Sequence, residues 1–243
     1  TLLSGQNYDE IGNFEFDNLL KIMLRGLPST DWMPPFLRYY DKFGYSNLLN
    51  FTKKLDNKFS ADWIGQYTPT DRIESMNNII NVIDEANNDN QVLNSSCFDI
   101  DKNSFCRVID GPIYGRRFTR YILLKLDYLF QNHAHRMHFE TLSVEHILPR
   151  NPAENSQWVQ DFSETDRENL TDKLGNLVLI TRRKNASQGR LDYEEKKRRY
   201  FNKCIDTCPN SLRILNYYNK WTPVELNENH QFVIQKIYDH YGI

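Results

Sequence analysis

Apolar residues recur at helical spacing through most of the first half of the chain, and strand-like stretches appear only after residue 140. The stretch 14–26, FEFDNLLKIMLRG, carries the helical period and stops at Gly26. In 69–88, PTDRIESMNNIINVIDEANN, apolar side chains at 73, 76, 79, 80, 82 and 83 predict a helix, with Thr70, Asp71 and Glu74 offering capping chemistry at its start. Between the two, the proline pair in WMPPFLRYY predicts a break from helix. The polar stretch 87–97 reads as a loop and a candidate boundary. GRRFTRYILLKLDYLFQN (115–132) is the clearest helix, apolar over a broad face.

The pattern then changes. TLSVEHILP (141–149) is short, partly β-branched and closed by proline, which predicts a strand running into a loop. PAENSQWVQDF (152–162) reads as a short helix or insertion, and GNLVLITRR (175–183) as a second strand. LDYEEKKRRYFNKC (191–204), NSLRILNYYNKW and TPVELNENHQFVIQKIYDHY (222–241) read as helices, the last with Pro223 near N1 and Glu225 in its first turn. The expected class is α+β and predominantly helical, with a β–β–α unit late in the chain. Polar residues gather at the strand ends and at the start of the following helix, where backbone can hold side chains around one point.

Composition narrows the partners. With 243 residues the chain suits one large domain or two small ones. A formal net charge of −2 means that any nucleic-acid surface is a local patch. No apolar run approaches a membrane span and no signal peptide stands in front, so the expectation is a cytoplasmic protein with reduced Cys97, Cys106, Cys204 and Cys208. Cys204 and Cys208, four apart, would share a helical face, but a zinc site would need a second pair. The chain opens at Thr1 without methionine and reads as part of a longer protein with a partner domain.

Candidate chemistry centres on SVEHILPR (143–150). Hydrolysing a phosphodiester requires a base for the attacking water and a sink for developing negative charge. A histidine titrating near neutrality suits the first task and a divalent ion held by oxygen suits the second. His146 and Glu145 offer both groups. On a regular strand, however, neighbours point to opposite faces, so the chain must twist before Pro149 for both to reach one site. The Asn176 side chain could hold the loop of His146 or its imidazole. Asn185 offers an amide oxygen to Mg²⁺ or Mn²⁺.

VEHILPRN, LGNLVLITRRKN and YEEKKRRY, in that order, resemble the HNH-type module of the ββα-metal (His-Me finger) nucleases. More specifically, they resemble the C-terminal domain of GmrSD-type, modification-dependent restriction enzymes. The resemblance runs from about residue 115 to the end and includes KWTPVELNENHQFVIQKIY. It implies a helical N-terminal region over 1–110 and a nuclease domain over 111–243, with a ββα-metal core at about 141–204 followed by C-terminal helices. His146 takes the place of the general base, Asn176 that of the residue orienting it, and Glu145 and Asn185 those of ligands to one divalent ion. Arg183, Lys184, Lys196 and Lys197 become backbone contacts to DNA, modified or unmodified. The final histidine of the generic HNH pattern is absent, leaving an H-N-N arrangement. A prokaryotic or phage-related defence setting follows, with an NTP-using partner domain or second chain, since no GxxxxGK[ST] is present here.

Plainer readings compete at each point. Glu145–His146 also fits a surface pair beside a turn, Asn176 a strand-turn cap, and Asn185 a helix N-cap. The basic stretch 182–200 fits either a phosphate-contacting surface, which Arg116, Arg117 and Arg120 could extend, or a solvated helix with i,i+3 and i,i+4 ion pairs. His133, His135 and His138 are expected at the end of a long helix, where imidazolium favours the dipole. A rival of another class is a non-catalytic DNA-binding or protein-interaction module on the same fold.

Overall fold

The computed structural model describes residues 14–137, 142–181, 190–201 and 208–243. The elements run α1 (Glu15–Gly26), α2 (Met33–Phe43), α3 (Leu48–Ile64), α4 (Pro69–Glu85), α5 (Asp89–Leu93), α6 (Lys102–Ile109), α7 (Thr119–Leu129), β1 (Leu142–His146), α8 (Gln157–Asp161), α9 (Glu164–Leu170), β2 (Leu177–Thr181), α10 (Tyr193–Phe201), α11 (Pro209–Tyr217) and α12 (Pro223–Tyr241). The protein is predominantly helical α+β with a two-stranded sheet. It divides into two compact units, 1–108 with 132–136, and 109–131 with 137–243.

The first unit is a helical bundle whose centre is aromatic. Phe16, Trp32, Phe36, Tyr39 and Phe51 are fully buried, and the Tyr39 and Phe51 rings stack at 3.9 Å. The proline pair does not break α2. It occupies the first helical turn, where the missing N–H groups would have had no partner. Helix α4 starts at Pro69, where the sequence stretch does, but its cap precedes the residues the sequence offered. Thr68 is the N-cap, Pro69 follows it, and Asp71 completes a reciprocal capping box. At its other end Lys42 donates to the carbonyls of Ile83 and Asp84, bringing a cation to the negative end of the helix. Helix α7 ends at Leu129, so His133 and His135 lie beyond it and not in its last turn. His133 sits at φ 55°, and Asn18 donates to the His135 carbonyl at 3.0 Å. His138 and Cys204 fall outside the described residues, and Cys208 is the N-cap of α11 rather than a helical partner for Cys204.

The second unit positions the candidate site. Strands β1 and β2 pair antiparallel with Glu145 opposite Val178 and His146 opposite Leu177. Partners across a pair share a face, so the hairpin has a Glu145–Val178–Ile180 side and a His146–Leu177–Leu179 side. The first packs on α10 and α11 around Tyr193, Ile214 and Leu215. Both faces of β2 are buried, which is why LVLI reads as a continuous apolar run instead of an alternating one.

The turn that enters β2, Leu174–Asn176, is clamped by α12. Asn229 donates to the Gly175 carbonyl at 2.6 Å, and the Gly175 N–H donates to His230 Nδ1 at 3.2 Å. His230 Nδ1 is therefore the acceptor nitrogen, and Nε2–H donates to Asp110 at 3.0 Å. Burial pushes the His230 pKa below its ordinary value, and this acceptor role agrees with a neutral ring. A Cβ on Gly175 would stand 2.5 Å from the His230 Cα, so the helix approaches the turn more closely than any other residue permits. Gly175→Ala is expected to lower stability by about 1–3 kcal/mol or more, as overpacking against backbone does. Thermal melting checks this; an unchanged midpoint would mean that α12 moves away freely.

Candidate active site around His146

His146 ends β1 and is 8% exposed. Its Nε2 lies 2.9 Å from Asp172 Oδ1, and the Tyr114 ring meets it edge-on with centroids 4.2 Å apart. Asp172 is fixed through its own backbone, because its carbonyl accepts from the amides of Ile113 and Tyr114. The same carboxylate oxygen stands 3.5 Å from Arg150 Nε, and the Arg150 guanidinium lies over the Tyr114 ring at 5.2 Å. Burial holds the His146 pKa below its ordinary value. The Asp172 hydrogen bond opposes that shift, while the charges of Arg150 and Lys196 add to it.

Asn176 is wholly buried and holds the chain after His146. Its amide nitrogen donates to the carbonyls of Leu148 at 2.9 Å and Thr171 at 2.8 Å. Its oxygen accepts from the Leu148 amide at 2.8 Å and from the Trp221 indole at 3.3 Å. The Asn176 carbonyl takes the Ile147 N–H as well. One side chain thus ties the loop after β1, the segment carrying Asp172 and the tryptophan before α12 into one body.

Glu145 is placed differently from the expectation. The strand stays regular to its last residue, so Glu145 faces away from His146 and toward α10. There Lys196 donates to Glu145 Oε1 at 2.8 Å and to the His146 carbonyl at 2.7 Å. Burial pushes the Glu145 pKa up and the Lys196 pKa down, and each partner's charge offsets the other's shift. Lys196 is 3% exposed, so its amine joins helix to strand and is not presented to a phosphate. The Lys197 amine donates to the Tyr218 carbonyl at 2.9 Å and lies over the Tyr193 ring. Farther along α10, Arg198 and Arg199 both pair with Glu195, as the plain reading of a solvated helix has it. Arg183, Lys184 and Asn185 lie outside the described residues.

Of the donor set expected for Mg²⁺ or Mn²⁺, only Glu145 lies among the described residues, and Asn185 does not. Glu145 is committed to Lys196 on the far face, and no group of three His, Cys, Asp or Glu side chains suited to a metal occurs among the described residues.

Sequence reasoning missed Asp172, Tyr114 and Arg150. Arg150 stood directly after the quoted proline and Asp172 four residues before Asn176, yet neither spacing marks a partner of His146. Tyr114 carried no signal at all.

One known family matches the chain over the part that carries these side chains. The model of the GmrSD restriction endonucleases, C-terminal domain, matches residues 102–236, more than half of the chain. The chain belongs to this family. No curated protein and no solved structure matches it. No helix among the described residues is long and apolar enough to cross a membrane.

Proposed function

We propose that the chain is a DNA endonuclease module in which His146 takes the proton from the water that attacks a phosphodiester. The observation that carries this reading is the His146–Asp172 contact at the end of β1, in a chain of a restriction-endonuclease family. A carboxylate only accepts, so Asp172 fixes the proton of neutral His146 on Nε2 and leaves the Nδ1 lone pair as the basic site. After proton transfer the imidazolium is stabilised by the same carboxylate. Asn176 keeps the loop rigid, so the ring is held ready instead of being ordered at the moment of reaction. The β1–β2–α10 order fits the ββα pattern of HNH-type enzymes, and a divalent ion and an NTP-using partner domain or chain in a prokaryotic defence system belong to the same proposal.

The test is cleavage of plasmid DNA, unmodified and base-modified, by the protein with Mg²⁺, with Mn²⁺ and with chelator. Asp172→Asn is expected to slow cleavage on the order of tenfold to a hundredfold, as loss of a histidine's outer partner does. DNA bound but never cut under any condition would favour the non-catalytic binding module. That rival draws on the engagement of Glu145 by Lys196.

A further inference from the structure

We propose that Arg150 is the guanidinium that binds the phosphodiester on which His146 acts, and that the DNA backbone runs along the Tyr114–Arg120 segment instead of α10. The inference rests on the nuclease reading and adds the group that holds the reacting phosphate.

Two described cations act on the His146 ring, and they are in opposite situations. Lys196 is buried with both its partners within 2.8 Å. The Arg150 side chain is 56% exposed. Its position is nonetheless set: Tyr114 lies under the guanidinium, and Asp172 stands beside Nε. These contacts engage one face and one of the five N–H groups, so the terminal nitrogens retain their donors. A planar fork held on an aromatic ring loses little freedom on meeting a phosphate, and matches two of its oxygens at once. Asp172 connects the two functions, since one oxygen faces both His146 Nε2 and Arg150 Nε. As negative charge builds on the phosphoryl oxygens, the guanidinium stabilises it beside the base.

The neighbouring chain extends this surface. Tyr114 is exposed at its rim, and Arg116, Arg117 and Arg120 follow it, all exposed, in the turn and first residues of α7. Helix α10 offers less. Its lysine amines are bound to Glu145 and to backbone carbonyls, and Arg198 and Arg199 pair with Glu195.

Variants of the full chain test the proposal. Arg150→Ala is expected to lower the cleavage rate at saturating DNA on the order of a hundredfold to a thousandfold, with Arg150→Lys restoring only part of it. Arg116→Gln with Arg117→Gln should weaken DNA binding at low salt, and unchanged affinity would put the DNA backbone elsewhere than the Tyr114–Arg120 segment. A readout without catalysis uses the His146→Ala background, where adding Arg150→Ala should reduce the salt dependence of DNA binding by about one phosphate contact. Arg150→Ala cutting at the parental rate, or an unchanged salt slope, would overturn the assignment. Such a result leaves the base assignment standing if His146→Ala alone is inactive. If His146→Ala cuts as fast as the parent, the nuclease reading fails first.

Discussion

His146→Ala is expected to lower cleavage at saturating DNA on the order of a hundredfold to ten-thousandfold, with affinity for DNA within a few-fold of the parent. A positioned general base contributes about that much. The substitution removes the partner of Asp172 and the edge contact of Tyr114, both at the end of a strand, so melting must show that the hairpin persists. The pH profile gives an independent check. Burial, the largest cause, holds the His146 pKa below its ordinary 6.5, and a general base works in its unprotonated form. The acid limb of the free protein's cleavage efficiency should therefore have its midpoint below 6.5. Asp172→Asn removes the group that raises the His146 pKa, so the acid limb should move to still lower pH while the plateau drops. A profile with its acid limb above 6.5, or a His146→Ala protein that cuts like the parent, would give the proton transfer to another group.

What the sequence could tell about this site depended on the range of the interaction. Local periodicity was enough for the helices at 14–26 and 222–241, because each is decided by which neighbours share a face, and the two strands were marked by short apolar or β-branched runs bounded by Pro149 and Gly175. It failed where a residue type has two opposite uses. Prolines 34 and 35 stop a helix in its interior but start one in its first turn, and only the fold says which turn they occupy. Helix α3 escaped notice although Phe51, Leu55 and Phe59 form a buried stripe, because Lys53, Lys54, Asn57 and Lys58 crowd the same stretch. At the site, His146 and Asn176 were visible through their motif, and the loop-holding hydrogen bonds of Asn176 are of the kind a buried amide requires. The alternation of a regular strand, already noted as an obstacle, decided the placement of Glu145. Lys196 stands three residues after Tyr193, on the face that α10 buries, and this spacing was the available sign that its amine turns inward. Asp172 and Tyr114 reach His146 through the chain closure around Pro112 and Lys173, which no local pattern encodes.

The second large effect concerns that inward lysine. Lys196→Met is expected to destabilise the protein by about 3–5 kcal/mol, because it leaves a buried carboxylate without its cation. The His146 carbonyl loses a donor too, which adds about 1 kcal/mol or more. The loss should depend on pH with a definite sign. Glu145 already titrates above its ordinary 4.5 through burial, and without Lys196 it must titrate higher still. A raised carboxyl pKa contributes stability below 4.5, where both states are protonated, and that contribution disappears as pH rises through the folded value. Lys196→Met should thus be mildest near pH 4.5 and grow costlier toward neutrality. Pairing it with Glu145→Leu removes the stranded charge and should recover most of the stability, since an apolar replacement of a buried pair is often neutral. Chemical denaturation of the two single variants and the double variant, at two pH values, measures this coupling. A Lys196→Met protein as stable as the parent at neutral pH would mean that the pair is solvated. Cleavage by the double variant then separates two uses of Glu145. If the refolded double variant still cuts, the carboxylate serves only to join β1 to α10. If it is stable but inactive, Glu145 must leave Lys196 to act, and the ion pair is a state that the protein passes through before the reaction.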